Sequence, residues 1–157
     1  MGVDPGLART GYAVVSRGNP HKVIALGIIR TPVKWAIEKR LQELSGDLSD
    51  VIKRYGPVAM SLEKVYIKGN RSAASAVERA TGVVMLTAAK AGISVSEYSP
   101  STVKKIVTGD GAATKEAVQR TLRKTLNLSE DGLPYDAFDA VAVAICHLRH
   151  LHLELVP

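Results

Sequence analysis

A single cysteine in 157 residues leaves no room for an internal disulfide. Cys146 also lies inside an apolar helical run, and both facts fit a reducing cytoplasm. Long hydrophobic stretches are missing too. The longest apolar runs fall far short of the roughly 18 residues needed to cross a bilayer. No charged-then-apolar leader with a small-residue cleavage site opens the sequence. The expectation is therefore a cytoplasmic protein with no membrane partner. Repeats and low-complexity tracts are absent, and no Ser-His-Asp set is apparent. What remains is a chain whose length suits one domain, 1–157, with 46% hydrophobic residues to build its core.

Acidic residues are scarce in one half. Between Lys64 and Lys124 eleven Lys and Arg face four acids, a local excess larger than the net +6 of the whole chain. The rest is slightly acidic. One part of the molecule thus carries a basic surface of the kind that suits nucleic acid.

The first third reads as strands: "MGVD", then "GYAVVSRG" and "HKVIALGIIRT" as a hairpin around the turn "RGNP". The strand ahead of Asp4 is short, a length that suits a trimmed start or a misplaced initiator. Ile37, Leu41, Leu44, Leu48, Val51, Ile52 and Tyr55 carry the spacing of an amphipathic helix, stopped by "YGP". "VAMSLEKVY" is the next strand, and a helix rich in small residues follows from "GNRSAAS" to about Lys90. Its small face (Ala73, Ala76, Ala80, Val84, Thr87, Ala88) suits core, a dimer seam or both. "ISVSEY" is a strand. Ser99–Pro100 opens a short helix through Val107, Thr114 caps a basic helix to about Leu126, and a final helix follows the linker "NLSEDGLPY". The order β-β-β-α-β-α-β-α-α-α predicts an α/β fold: a five-stranded mixed sheet, started by an antiparallel hairpin and extended by βαβ crossovers, with helices on both faces.

Four acids stand out. Taken singly each has an ordinary reading. Asp4 in "DPG" is good turn chemistry, Glu63 suits a half-exposed strand, and Asp136 and Asp139 suit the first turn of a helix. Together they read differently. If the first and fourth strands are neighbours, Asp4 and Glu63 end at adjacent tips. Asp136 and Asp139, three apart, share a face of the last helix. Converging carboxylates repel, and a hard divalent cation such as Mg²⁺ or Mn²⁺ removes the conflict. Beside a basic surface, that chemistry points to phosphodiester hydrolysis, with two ions about 4 Å apart able to clamp attacking water and leaving oxygen.

The blocks "GVDPGLARTGYAVV", "MSLEKVYIKGN", "YSPSTVKKIVTGDGAATKEAV" and "DAFDAVAVAICH", in this order and spacing, resemble the bacterial RuvC-type Holliday-junction resolvases over nearly the whole chain. The resemblance implies an RNase H-like fold and a homodimer that needs Mg²⁺ and nicks two opposing strands of four-way junction DNA in recombination and repair. It also implies a branch-migration motor as partner. It implies catalytic, metal-binding roles for Asp4, Glu63, Asp136 and Asp139, base contact near the junction centre for Tyr66, and positions near the scissile phosphate for Lys104 and Lys115. The chain lacks a basic tail, ending at "LHLELVP".

Other cations are more ambiguous. Lys68, Arg71 and Arg120 are candidate DNA contacts, with Arg123 and Lys124 beside the last; a solvated face reads nearly as well. Lys104 and Lys105 lie about 100° apart on a helix, so one of them faces any site. Lys115 at a helix start sits against the dipole, a weak hint of function. His147 and His150 share a face but lack further ligands for a metal. Two rival functions fit parts of the pattern: a non-catalytic nucleic-acid-binding relative, and an actin- or sugar-kinase-like ATPase, whose second domain this length does not supply.

Overall fold

The computed structural model describes residues 1–64, 71–128 and 135–154, without the side chains of 71–73 and 152–154. Five strands form one sheet: β1 (Gly2–Asp4), β2 (Arg9–Val15), β3 (Val23–Arg30), β4 (Ala59–Glu63) and β5 (Ser94–Tyr98). Their order across the sheet is β3-β2-β1-β4-β5. β1, β2 and β3 pair antiparallel, whereas β1 with β4 and β4 with β5 are parallel. The three-residue β1 is thus the central strand. It is extended by the chain's first residue, whose ammonium donates to the Ala59 carbonyl at 2.8 Å and whose carbonyl accepts from Ser61 N–H.

Strand alternation sorts the side chains between two helical layers. Val3, Val14, Met60 and Leu62 face α1 (Ile37–Tyr55) and α2 (Arg71–Lys90), where they meet Leu44, Leu48, Ile52, Ala80, Val84 and Ala88. Much of the small face of α2 is therefore core. Thr87 adds a hydroxyl contact with Ser45 of α1 at 2.9 Å. The opposite face holds α3 (Pro100–Thr108), α4 (Lys115–Leu126) and α5 (Tyr135–Glu154), joined through Val103, Val107, Val118, Leu122 and the apolar length of α5.

Element ends depart slightly from the sequence expectation. β4 closes at Glu63, earlier than "VAMSLEKVY" suggested, although Lys64 N–H still bonds the Tyr98 carbonyl at 2.8 Å. Among the described residues helix α2 spans Arg71–Lys90; the "GN" before it lies outside them. Ser99 and Thr114 cap α3 and α4 by accepting from Thr102 N–H and Ala117 N–H.

Helix α5 lies directly on the sheet because the strands beneath it carry almost no side chain there. A Cβ at Gly2 would stand 2.1 Å from the Ala140 carbonyl oxygen, and one at Gly11 only 2.0 Å from that of Asp136. Ala13 is fully buried on the same face. Ser61 donates its hydroxyl to the Val143 carbonyl at 3.1 Å, tying β4 to the helix. These small residues let an apolar helix approach closer than usual, which fixes where its first turn falls.

Candidate active site

Two acids come from the sheet. The parallel register sets Gly2 beside Ser61 and Val3 beside Leu62, so the next residue on each strand is Asp4 and Glu63. Alternation points both toward the α5 layer, on the same side as Gly2 and Ser61. The turn after Asp4 is held by Thr10, fully buried, whose hydroxyl donates to the Gly6 carbonyl at 2.8 Å and accepts from Gly6 N–H at 3.3 Å.

The other two acids come from α5. Gly11 lies opposite Asp4 in the β1–β2 ladder, and the same glycine receives the Asp136 backbone. The first turn of α5 is thereby seated beside the Asp4 strand tip. Asp136 and Asp139 are each about 30% exposed, open enough to meet a ligand.

The electrostatics register the convergence. Burial pushes Asp4 up to about 7, and the charges of Asp139, Glu63 and Asp136 push the same way against Lys115. Glu63 is also raised, first by burial and then by Asp139, with Lys115 and Lys104 opposing. Two cations offset part of this charge. Lys115 Nζ donates to Asp139 Oδ2 at 3.1 Å, and Arg9 Nε donates to Asp136 Oδ2 at 2.6 Å. The Asp139 charge raises Lys115 in turn. Among the described residues no three of His, Cys, Asp and Glu are gathered tightly enough to cage an ion. Asp136 and Asp139 each accept from a cation, Arg9 and Lys115 respectively.

The remaining candidates separate. Lys104 on α3 is near enough to act on Glu63, while Lys105 is exposed. Arg120 is exposed on α4, lining an open groove with Arg123 and Lys124. Tyr66 and Lys68, and the side chain of Arg71, lie outside the described residues. His147 is buried, with Nδ1 2.8 Å from the Tyr98 hydroxyl, and His150 packs edge-on to the Tyr98 ring; both join a packing cluster. Cys146 is fully buried, and burial pushes its thiol up to about 12, so it is no nucleophile. Sequence reasoning missed Arg9, Gly11 and Ser61. Arg9 and Gly11 stand inside the quoted "GVDPGLARTG" block, where strand alternation would have put them on one face.

The model of one known family, described as crossover junction endodeoxyribonuclease RuvC, matches residues 1–147. The chain belongs to the RuvC family. The crossover junction endodeoxyribonuclease RuvC of Pelotomaculum thermopropionicum is 43% identical, over 98% of this chain and 94% of its own. That of Corynebacterium jeikeium is 41% identical, over 96% and 97%. Among solved structures, T. thermophilus RuvC in complex with Holliday junction substrate superposes with a TM-score of 0.91 at 28% identity, covering 98% of this chain and 94% of that one. The yeast mitochondrial Holliday junction resolvase Ydc2, at 13% identity and a TM-score of 0.65 over 94% of this chain and 78% of that one, shares the fold alone. The RuvC-family architecture is the RNase H-like one: a five-stranded mixed sheet between helical layers.

Proposed function

We propose that this chain resolves four-way DNA junctions, hydrolysing phosphodiesters in two opposing strands, with Asp4, Glu63, Asp136 and Asp139 as its catalytic centre. Membership of the RuvC family supports the reaction class. The observation that carries the assignment of residues is the placement of four acids, from three separate elements, around a strand tip where Asp4 is buried enough to sit near 7.

The donor set fits a hard divalent cation. It offers only carboxylate oxygens, it is left with more negative charge than Arg9 and Lys115 offset, and it has an open side. Asp4, Glu63, Asp136 and Asp139 would hold Mg²⁺, with Mn²⁺ as a substitute. Bound there, the cation supplies Lewis-acid chemistry, acidifying a water and offsetting charge on the leaving oxygen. The protein's own contribution is positional. The sheet fixes Asp4 and Glu63, and the Gly11 contact fixes the start of α5. Lys104 and Lys115, beside Glu63 and Asp139, meet the scissile phosphate from the protein side. Arg120, with Lys68 and Arg71, tracks the backbone of the junction arms, and Tyr66 stacks on a base near the crossover.

The same reading includes a homodimer, so that one centre meets each of two symmetry-related strands, and a branch-migration motor that delivers the junction. A cytoplasmic site of action agrees with the absence, among the described residues, of a helix long and apolar enough to cross a membrane.

The test is Mg²⁺-dependent nicking of an end-labelled four-way junction. Asp4→Asn and Asp139→Asn are expected to abolish cleavage while junction binding persists. Loss of binding together with cleavage in both variants would mean that the acids organise the fold instead.

A further inference from the structure

Arg9 stands outside the set of residues just assigned, yet it makes the shortest ion pair described here. Its Nε donates to Asp136 Oδ2 at 2.6 Å across 127 residues of chain. The bond falls on one carboxylate oxygen. Among the described residues the terminal nitrogens of the guanidinium make no hydrogen bond, and the side chain is 47% exposed.

The strand around Arg9 explains why this contact is directed. Arg9 and Gly11 are two apart on β2, so they share the face that meets α5. Gly11 accepts the Asp136 backbone against the sheet, and Arg9 holds the Asp136 carboxylate. One strand therefore fixes both ends of a single residue. The Arg9 backbone is itself constrained. It pairs with Arg30 of β3, and its carbonyl lies so close to Gly6 that a Cβ there would stand 2.4 Å from it. Asp136 opens a helix, where its side chain has rotamer freedom and one exposed side. Without a second anchor it could turn from Asp4 to solvent.

We propose that Arg9 is a positioning residue for Asp136: it holds Oδ2 so that Oδ1 is presented to the cation shared with Asp4. This rests on the metal-dependent reading above. Removing a partner that orients a ligating carboxylate commonly costs 10–100-fold in metal affinity. Lys in place of Arg keeps the charge but not the directed Nε–H bond, so it should rescue only in part.

The experiment follows Mn²⁺ binding by electron paramagnetic resonance in the full chain, comparing wild type with Arg9→Ala and Arg9→Lys. Each protein's Mg²⁺ requirement for junction nicking is measured in parallel. Arg9→Ala is expected to bind Mn²⁺ about tenfold or more weakly and to need correspondingly more Mg²⁺ for half-maximal nicking. Arg9→Lys should fall between them. An unchanged affinity, or a tighter one, would overturn the proposal; tighter binding would make Arg9 a competitor of the metal. A rate that stays low at saturating Mg²⁺, with unchanged Mn²⁺ binding, also overturns it. If Arg9→Ala proves poorly folded by circular dichroism, the Arg9→Lys comparison decides alone. Wild-type protein that neither binds Mn²⁺ nor nicks the junction would sink the metal-dependent reading itself, an outcome separate from these.

Discussion

Asp4 shows how a proposed catalytic residue is held at a cost to the fold. Its carboxyl is raised from the ordinary value to about 7 by burial and by three neighbouring acids. A group protonated more readily when folded adds stability that is complete below its unfolded value near 4 and is lost as pH rises through about 7. Metal-free protein should therefore lose stability, on the order of a few kcal/mol, between pH 4 and pH 7. Mg²⁺ should restore it. Asp4→Asn removes the repelling charge, so its melting temperature should vary less over that range and exceed wild type at pH 8 without metal. Thermal melts across pH, with and without Mg²⁺, check both; a wild-type curve flat from pH 4 to 7 would contradict the electrostatic account. The chemistry of Asp4 was legible in the sequence as one of four acids, but its burial was not. Burial depends on α5 resting on β1 and β2, a contact between residues more than a hundred positions apart.

At the scale of elements, the approach of α5 to the sheet decides where two of the four acids fall. Its floor is Gly2, Gly11, Ala13 and Ser61. Gly11→Ala would drive a methyl into the Asp136 carbonyl, and overpacking of this kind costs about 1–3 kcal/mol. It should also displace the first turn of α5, so nicking should fall more steeply than stability; chemical denaturation alongside the cleavage assay measures the two. Ser61→Ala loses a buried hydrogen bond worth about 1 kcal/mol and should leave cleavage largely intact. Leu122→Ala empties a core position between α4 and α5, at about 2–5 kcal/mol in denaturant melts. Much of this level could be read beforehand. The hairpin and crossover pattern predicts the mixed sheet, in which β1 and β4 can be neighbours, and helical periodicity predicts α1. The α5 floor could not be read as a whole, because Gly2 and Gly11, although inside expected strands, are brought onto one face only by the register that pairs β1 with β2. Lys115 is instructive in the other direction. A cation at a helix start is locally unfavourable, and the structure supplies the compensation in Asp139.

For the whole molecule, charge and acid centre belong together. The excess of Lys and Arg between Lys64 and Lys124 falls partly on α3 and α4, which stand beside the carboxylates. Junction binding should weaken linearly in the logarithm of salt concentration, and each of Arg120→Ala and Lys124→Ala should reduce that slope by about 1. A slope unchanged in both would place the DNA elsewhere. The sequence located this basic half but not its arrangement, since Arg120 and Lys104 take their places from the packing of α3 and α4 on α5 through Val103, Val107, Val118 and Leu122.

The central claim is that acids from β1, β4 and α5 grip one cation site. Calorimetric titration of Mg²⁺ into wild type, Asp4→Asn, Glu63→Gln, Asp136→Asn and Asp139→Asn tests it most directly. Saturable binding to wild type, weakened in every variant while circular dichroism stays native, is the predicted result. Binding that is absent in wild type, or equal in all five proteins, would contradict it.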